Sequence, residues 1–339
     1  MAYTLIDDPS AYFQTLLWTG NSTDSRALTN DGNSDLQPDF VWYKCLDSNT
    51  AHMWQTSTYG VTKYFRSNLT SAIGTASSLI TSFNTDGFTL SEYSSQNVNS
   101  EKNVAWQWKA NGNSTSSNTD GDITSTIQTN STAGFTMGTY TGNGSNNQTI
   151  GHGLGARPNW IIVKRKDTAA AWLVWHEHNS WNHVFRFYTN GETDSASGRV
   201  GAFNNGSQGT SSIFTVFSGS GAYDNCNING DEYIFWAWTE KQGYSKFGSY
   251  KGNGNARTDR LRVTSEGNTE VNGNLSVLGG GVIVKGGGLY DFTSHTFTPC
   301  GKTGRYGPTS AECLSAYSST SWASNGSFFS VPVDGYQLW

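Results

Sequence analysis

The sequence predicts an all-β fold: two tandem β-sandwich, jelly-roll-like domains, then a thin β connector that trimerises and a small C-terminal α+β domain. Three observations predict it. Turn formers (Gly, Ser, Thr, Asn) abound, and aromatics make up 14% of the chain with 13 Trp, a composition that suits strands and tight turns. Short aromatic and β-branched runs, such as "FVWYK", "WIIVK" and "YIFWAW", are bounded by Gly, Asn, Asp and Pro, as strands are. Finally, a set of such signals occurs twice in the same order, which marks an internal duplication.

In the first copy the signals run "WTGN" (18–21), "QPDFVWYK" (37–44), "HMWQT" (52–56), "KYFRSNLT" (63–70), "FNTDGFTL" (83–90) and "NVAWQWK" (103–109). The second copy answers with "YTGN" (140–143), "RPNWIIVK" (157–164), "WLVWHEH" (172–178), "HVFRFYTN" (183–190), "SSIFTVF" (211–217) and "EYIFWAW" (232–238). A third copy opens with "KFGSYKGNGN" (246–255) and goes no further. The first sandwich is therefore expected over 1–110 and the second over 133–245. The polar stretch 111–132 reads as a linker that lets two sandwiches stand in line, with "DITSTIQT" alternating well enough to add an edge strand. Because the strand signals are nearly continuous rather than alternating, they are expected to be buried on both faces or at a sandwich core. The repeated Gly-Asn pair is expected to be a hairpin turn at the start of each sandwich.

Residues 246–290 form the expected connector. "RLRVTS" and "TEVNGNLSVLG" are short alternating segments with too little mass for a core of their own. Their apolar positions, Leu261, Val263, Val271, Leu275, Val277, Val282 and Val284, need cover from other chains, and three identical chains around an axis are the simplest closed solution. In the last segment, 291–339, Thr309 and Glu312 form a capping box after Pro308 and predict a short helix over 310–317. Cys300 and Cys313 could be joined or free; Cys45 and Cys226 are too scattered for a disulfide framework.

The duplicated unit, with "QPDFVWYK", "SFNTDGFTL" and "NVAWQWK", resembles the tandem β-sandwich repeat proteins of marine tailed phages, of the cyanophage tail-fibre and spike kind. "DRLRVTSEGNTEVNGNLSVLG" (259–279) is similar to the trimerising repeats of phage tail fibres, and "FTPCGKTGRYGPT" resembles the opening of a small domain also found in such fibres. That domain usually runs through G-I-Q-x-W into a glycine-rich segment, whereas "DGYQLW" stands here, so its glycine-rich function does not carry over. The resemblance implies a virion structural protein, a homotrimeric fibre or spike touching other virion proteins and a host cell-surface glycan. A capsid decoration or head-fibre protein is the first alternative, and a glycan-binding or glycan-cleaving receptor-binding protein the second.

The remaining chemistry points away from catalysis and cofactors. A net charge of −5 gives no basic patch for nucleic acid. No run is apolar enough to insert in a membrane, and "MAYTLIDDPSAYFQ" lacks a signal-peptide pattern, so the expected place of synthesis is the host cytoplasm. "WHEHNSWNH" (175–183) offers His176, His178 and His183 for Zn²⁺, but in a strand Glu177 would face away from the His176 and His178 pair, and the other copy has no His there; no metal site is expected. Asp31, Asp86, Asp120 and Asp231 read as turn residues rather than a glycosidase pair. Trp172, Trp175 and Trp181 are candidates for stacking on sugars, and loop position makes Trp181 and Trp322 the best. Trp42, Trp54, Trp106, Trp108, Trp160, Trp236 and Trp238 recur at matching strand positions and are expected to be mostly core.

Overall fold

A computed structural model describes residues 6–92, 94–178, 183–187, 194–195, 209–218 and 226–250, and the short strands 261–263, 269–271, 282–284 and 336–338. The fold is nearly all β and divides into two compact units, Met1–Tyr250 and Lys251–Trp339.

In the first unit, a 3-10 turn (Pro9–Ala11) capped by Asp8 leads into β1 (Phe13–Thr19), β2 (Arg26–Leu28), β3 (Phe40–Cys45), β4 (Met53–Thr56), β5 (Lys63–Arg66), β6 (Gly74–Thr75), β7 (Ile80–Phe83), β8 (Phe88–Leu90) and β9 (Lys102–Trp108). Then come β10 (Ser116–Asn118), β11 (Ser125–Asn130), β12 (Phe135–Thr141), β13 (Gln148–Gly151), β14 (Trp160–Arg165), β15 (Trp172–His176), β16 (His183–Val184), β17 (Asp194–Ser195), β18 (Ile213–Val216) and β19 (Glu232–Trp238). The first copy makes a six-stranded sheet, β1-β9-β3-β4-β5-β6, and a small sheet, β2-β8-β7; the second makes β10-β11-β12-β19-β14-β15 and β13-β18.

The central strands of the two copies pair in corresponding registers. Trp108 lies between Phe13 and Phe40, and Trp238 lies between Phe135 and Trp160. Each copy is a sandwich of one large and one small sheet, and the large sheets pack against each other. Four layers therefore enclose three cores. Val41, Tyr43, Phe88 and Leu90 lie in one outer core, and Ile161, Val163, Phe214 and Phe235 in the other. Between the large sheets lie Phe40, Trp54, Phe65, Phe135, Trp172, Trp236 and Trp238. This is why the strand signals are continuous: side chains alternate between faces, and both faces are covered.

The layering corrects two expectations. The sandwiches do not stand in line; they pack face to face, because each large sheet carries an aromatic face that has to leave water. Nor is 111–132 only a linker: β10 and β11 extend the second large sheet, with β11 paired along the whole of its length to β12. The alternation in "DITSTIQT" did mark a strand.

The Gly-Asn pair is not a hairpin. It is the corner where the first strand of each duplicated unit, β1 or β12, meets the loop before the last, β9 or β19. Trp18 donates its indole N–H to the Gln96 carbonyl at 2.8 Å, and Tyr140 donates its hydroxyl to the equivalent Cys226 carbonyl at 2.6 Å. The next backbone is pressed so close that a Cβ on Gly20 would stand 1.9 Å from the Val98 oxygen, and one on Gly142 2.2 Å from the Ile228 oxygen. Asn21 and Asn143 then donate their backbone N–H to the fully buried side chains of Asn97 and Asn227. An aromatic residue with a polar tip, a missing Cβ and a turn-tolerant residue are what this corner requires. In the third copy Tyr250 is 96% exposed, and the residues after it lie outside the described residues.

In the second unit, β20 (Leu261–Val263) pairs with β21 (Thr269–Val271), and β22 (Val282–Val284) with β23 (Tyr336–Leu338). The registers set Leu261 opposite Val271, Val263 opposite Thr269, Val282 opposite Leu338 and Val284 opposite Tyr336. Leu275, Val277, Cys300, Cys313 and the helix expected over 310–317 lie outside the described residues.

His152 is fully buried beside β13, with Nδ1 accepting from the Leu154 N–H and Nε2 facing the Thr210 carbonyl. Burial pushes its pKa down to about 4, so the folded ring is neutral. The unfolded chain takes up this proton nearer pH 6.5. The contribution is therefore fully present above pH 6.5 and is lost as pH falls towards 4, by up to about 3 kcal/mol. Denaturation midpoints should fall over that window, and His152→Gln should flatten the decline. Separately, Gly20→Ala or Gly142→Ala should cost about 1–3 kcal/mol in chemical denaturation through overpacking. Gly248→Ala, where a Cβ meets nothing within 4 Å, should be close to neutral.

Candidate functional site

The inner face of the second large sheet changes character along β11 and β12. Phe135 and Met137 lie in the aromatic layer. Further along, Gln128 bonds across to the first copy: it accepts from the Ser57 hydroxyl at 3.2 Å and donates to the Thr58 hydroxyl at 3.0 Å. Beyond it, where the first copy's cover thins, the same face carries only threonines. A cleft of about 160 Å³ opens there, lined by Tyr59 of the first copy and by Thr124, Thr126, Thr139, Tyr140, Thr141, Lys166 and Glu232 of the second. Tyr140 borders it from its strand, while its ring stacks on Tyr233 on the far side of the sheet, 5.1 Å between centroids.

Lys166 is the cleft's only cation in that lining. Its ammonium pairs with the Glu232 carboxylate, stands 3.7 Å from Asp167 Oδ1, and lies 5.6 Å from the centre of the Tyr59 ring. Its carbonyl accepts from the Ile73 N–H of the first copy at 2.9 Å, which holds this rim in place. Burial, and then the nearby Asp167 charge, push the Tyr59 phenol upward, so it stays protonated and able to donate at neutral pH. Among the described residues, no hydrogen bond engages the side-chain hydroxyls of Thr124, Thr126, Thr139, Thr141 or Tyr59. The arrangement offers hydroxyl donors and acceptors and a neutralised ion pair.

Of the histidine-rich stretch, Trp175–His178 and the backbone of His183 are described, and the former close the end of β15. β15 ends at His176, and Glu177 and His178 form the turn after it. Glu177 accepts from the Asn159 amide at 2.6 Å and lies 3.6 Å from Arg157 Nη2. His176 Nδ1 accepts from the His178 backbone N–H, so that nitrogen is occupied. Among the described residues, no group of three or more His, Cys, Asp or Glu could hold a metal. The first copy explains the corner: Asp39 occupies the position of Asn159, and its buried carboxylate accepts from Ser57 and from the N–H groups of Ala110, Gly112 and Asn113. Both are locks on the end of a large sheet.

The candidate carboxylates are likewise turn residues: Asp86 accepts from the Leu36 N–H, and Asp231 is paired with Arg165 at 2.7 Å. Trp172 and Trp175 are buried, at 0% and 4% exposure, and are unavailable to a sugar; Trp172 gives its indole N–H to the Leu69 carbonyl of the first copy. Trp181 and Trp322 lie outside the described residues. Cys45 and Cys226 are free and buried. The cleft itself was not anticipated. Its one trace in the sequence is the every-second-residue threonine at 124 and 126 and again at 139 and 141.

No curated protein and no solved structure matches the chain. One family model, described as "Domain of unknown function (DUF7483)", matches residues 8–260 and so takes in both copies as a single unit. That span covers most of the chain and nearly the whole of the double sandwich, and the chain belongs to this family.

Proposed function

We propose that the protein is a structural component of a tailed-phage particle, a trimeric fibre or spike that contributes to host-surface attachment. The observation that carries this reading is the change of build along the chain. A charge-poor double sandwich precedes a segment whose described strands form only two-stranded pairs, β20 with β21 and β22 with β23. A two-stranded pair is marginal in water and calls for cover from elsewhere. Three copies of the chain around an axis would provide it, and would bring three copies of each sandwich surface together, so that weak contacts add up to firm adhesion. The similarity of 259–279 to trimerising fibre repeats supports the same reading. In it the protein binds and does not cleave, works with other virion proteins, and needs no cofactor.

Light scattering on the full chain should give the mass of three chains, and Leu261→Asp with Val271→Asp should give one, with the sandwich circular dichroism unchanged. A monomeric wild type would remove the fibre reading and favour a decoration protein ordered by its neighbours on the shell.

A further inference from the structure

We infer that the threonine-lined cleft where the two copies meet is a binding site for a neutral, hydroxyl-rich ligand, a saccharide unit of a surface glycan. For its place in infection this rests on the attachment reading above; the chemistry is argued from the cleft.

The fold does not impose the polar lining. Registers and backbone hydrogen bonds give the equivalent positions in the first copy: Leu17 for Thr139, Thr19 for Thr141, Leu46 for Lys166 and Lys102 for Glu232. There two of the four positions are apolar and exposed, Leu17 at 68% and Leu46 at 51%. The same backbone therefore accepts leucine at two of the four positions. The second copy replaces them with a hydroxyl and an ammonium, and the β11 extension adds Thr124 and Thr126, which have no counterpart among the described residues of the first copy.

The lining selects the ligand class. Four threonine hydroxyls and the Tyr59 phenol have no partner among the described residues, so five groups that donate or accept are available to a bound molecule. Their methyl groups offer the apolar contact that the C–H face of a sugar ring needs. Lys166 is already matched by Glu232 and Asp167, which leaves no net positive charge to attract a sulfate, phosphate or sialate. At about 160 Å³ the cleft has room for a single ring or the end of a chain, not for an extended polymer. Tyr59 comes from one copy and the threonines from the other, so the site exists only when the copies are packed.

Saturation-transfer NMR on the full-length protein tests this with methyl glycosides of glucose, mannose, galactose, N-acetylglucosamine and fucose, and with 3′-sialyllactose as the anionic control. At least one neutral sugar should bind. The Thr126→Val, Thr139→Val double variant removes two hydroxyls but keeps the β-branched shape, and should weaken that sugar roughly fivefold or more with the melting temperature unchanged. Binding that survives the double variant, binding of the sialylated control alone, or no binding across the panel would each overturn the assignment. Adsorption of the labelled chain to a panel of marine cyanobacterial strains separates the two readings. Adsorption by wild type and variant alike removes the cleft and keeps attachment; sugar binding without adsorption keeps the cleft and removes attachment.

Discussion

The aromatic layer between the two large sheets is the interaction on which the rest of the structure depends. Trp54, Trp172 and Trp236 are fully buried there, with Trp54 at 4.8 Å from Trp172 and 4.7 Å from Trp236, both edge-on. A ring of this kind buries about 200 Å², worth about 5 kcal/mol each at ~25 cal/mol per Å² before entropy is counted. Against this, the indole N–H groups of Trp42, Trp54, Trp236 and Trp238 have no acceptor among the described residues, at about 1–3 kcal/mol each. The burial exceeds that cost, and removing the partner sheet would forfeit it. The layer also explains Lys164, which is buried at the seam. Its ammonium donates to the carbonyls of Thr70 in one copy and Ala170 in the other, and desolvation brings its pKa down to about 8.

Duplication and divergence are visible at single positions. The corner that joins the first strand to the loop before the last keeps its logic in both copies, because a Cβ at Gly20 or Gly142 would collide with backbone. Elsewhere the copies have drifted. Asp39 accepts where Asn159 both donates and accepts, and Lys44 is half-buried where Lys164 is sealed in. The face that carries Leu17 and Leu46 in one copy carries Thr139 and Lys166 beside a hydroxyl-lined cleft in the other.

Much of the fold was legible because strand signals are local. Aromatic runs bounded by turn residues gave the strands, and their lack of alternation gave burial on both faces. How the copies pack was not legible: the pattern at Phe40 or Trp236 says that a face is covered, not by what. The role of 111–132 was only half legible, since strands with one exposed face near the end of a sheet, like β10 and β11, carry Ser and Thr much as a linker does. Trp172 and Trp175 were candidates for stacking on sugars, yet the burial of β15 is decided in part by Trp54 and Phe65, far away in sequence. The cleft joins Tyr59 to threonines more than a domain-half away, so no spacing could reveal it.

The aromatic layer makes the two sandwiches one cooperative body. Hydrogen exchange on the full chain across a denaturant series tests it most directly, followed by mass spectrometry of peptides from β3 and β14. If the layer governs stability, both strands should lose protection at the same denaturant concentration, and Trp54→Ala should lower both together although Trp54 belongs to the first copy. Separate transitions for β3 and β14, with Trp54→Ala moving only the first, would mean that the two sandwiches unfold independently.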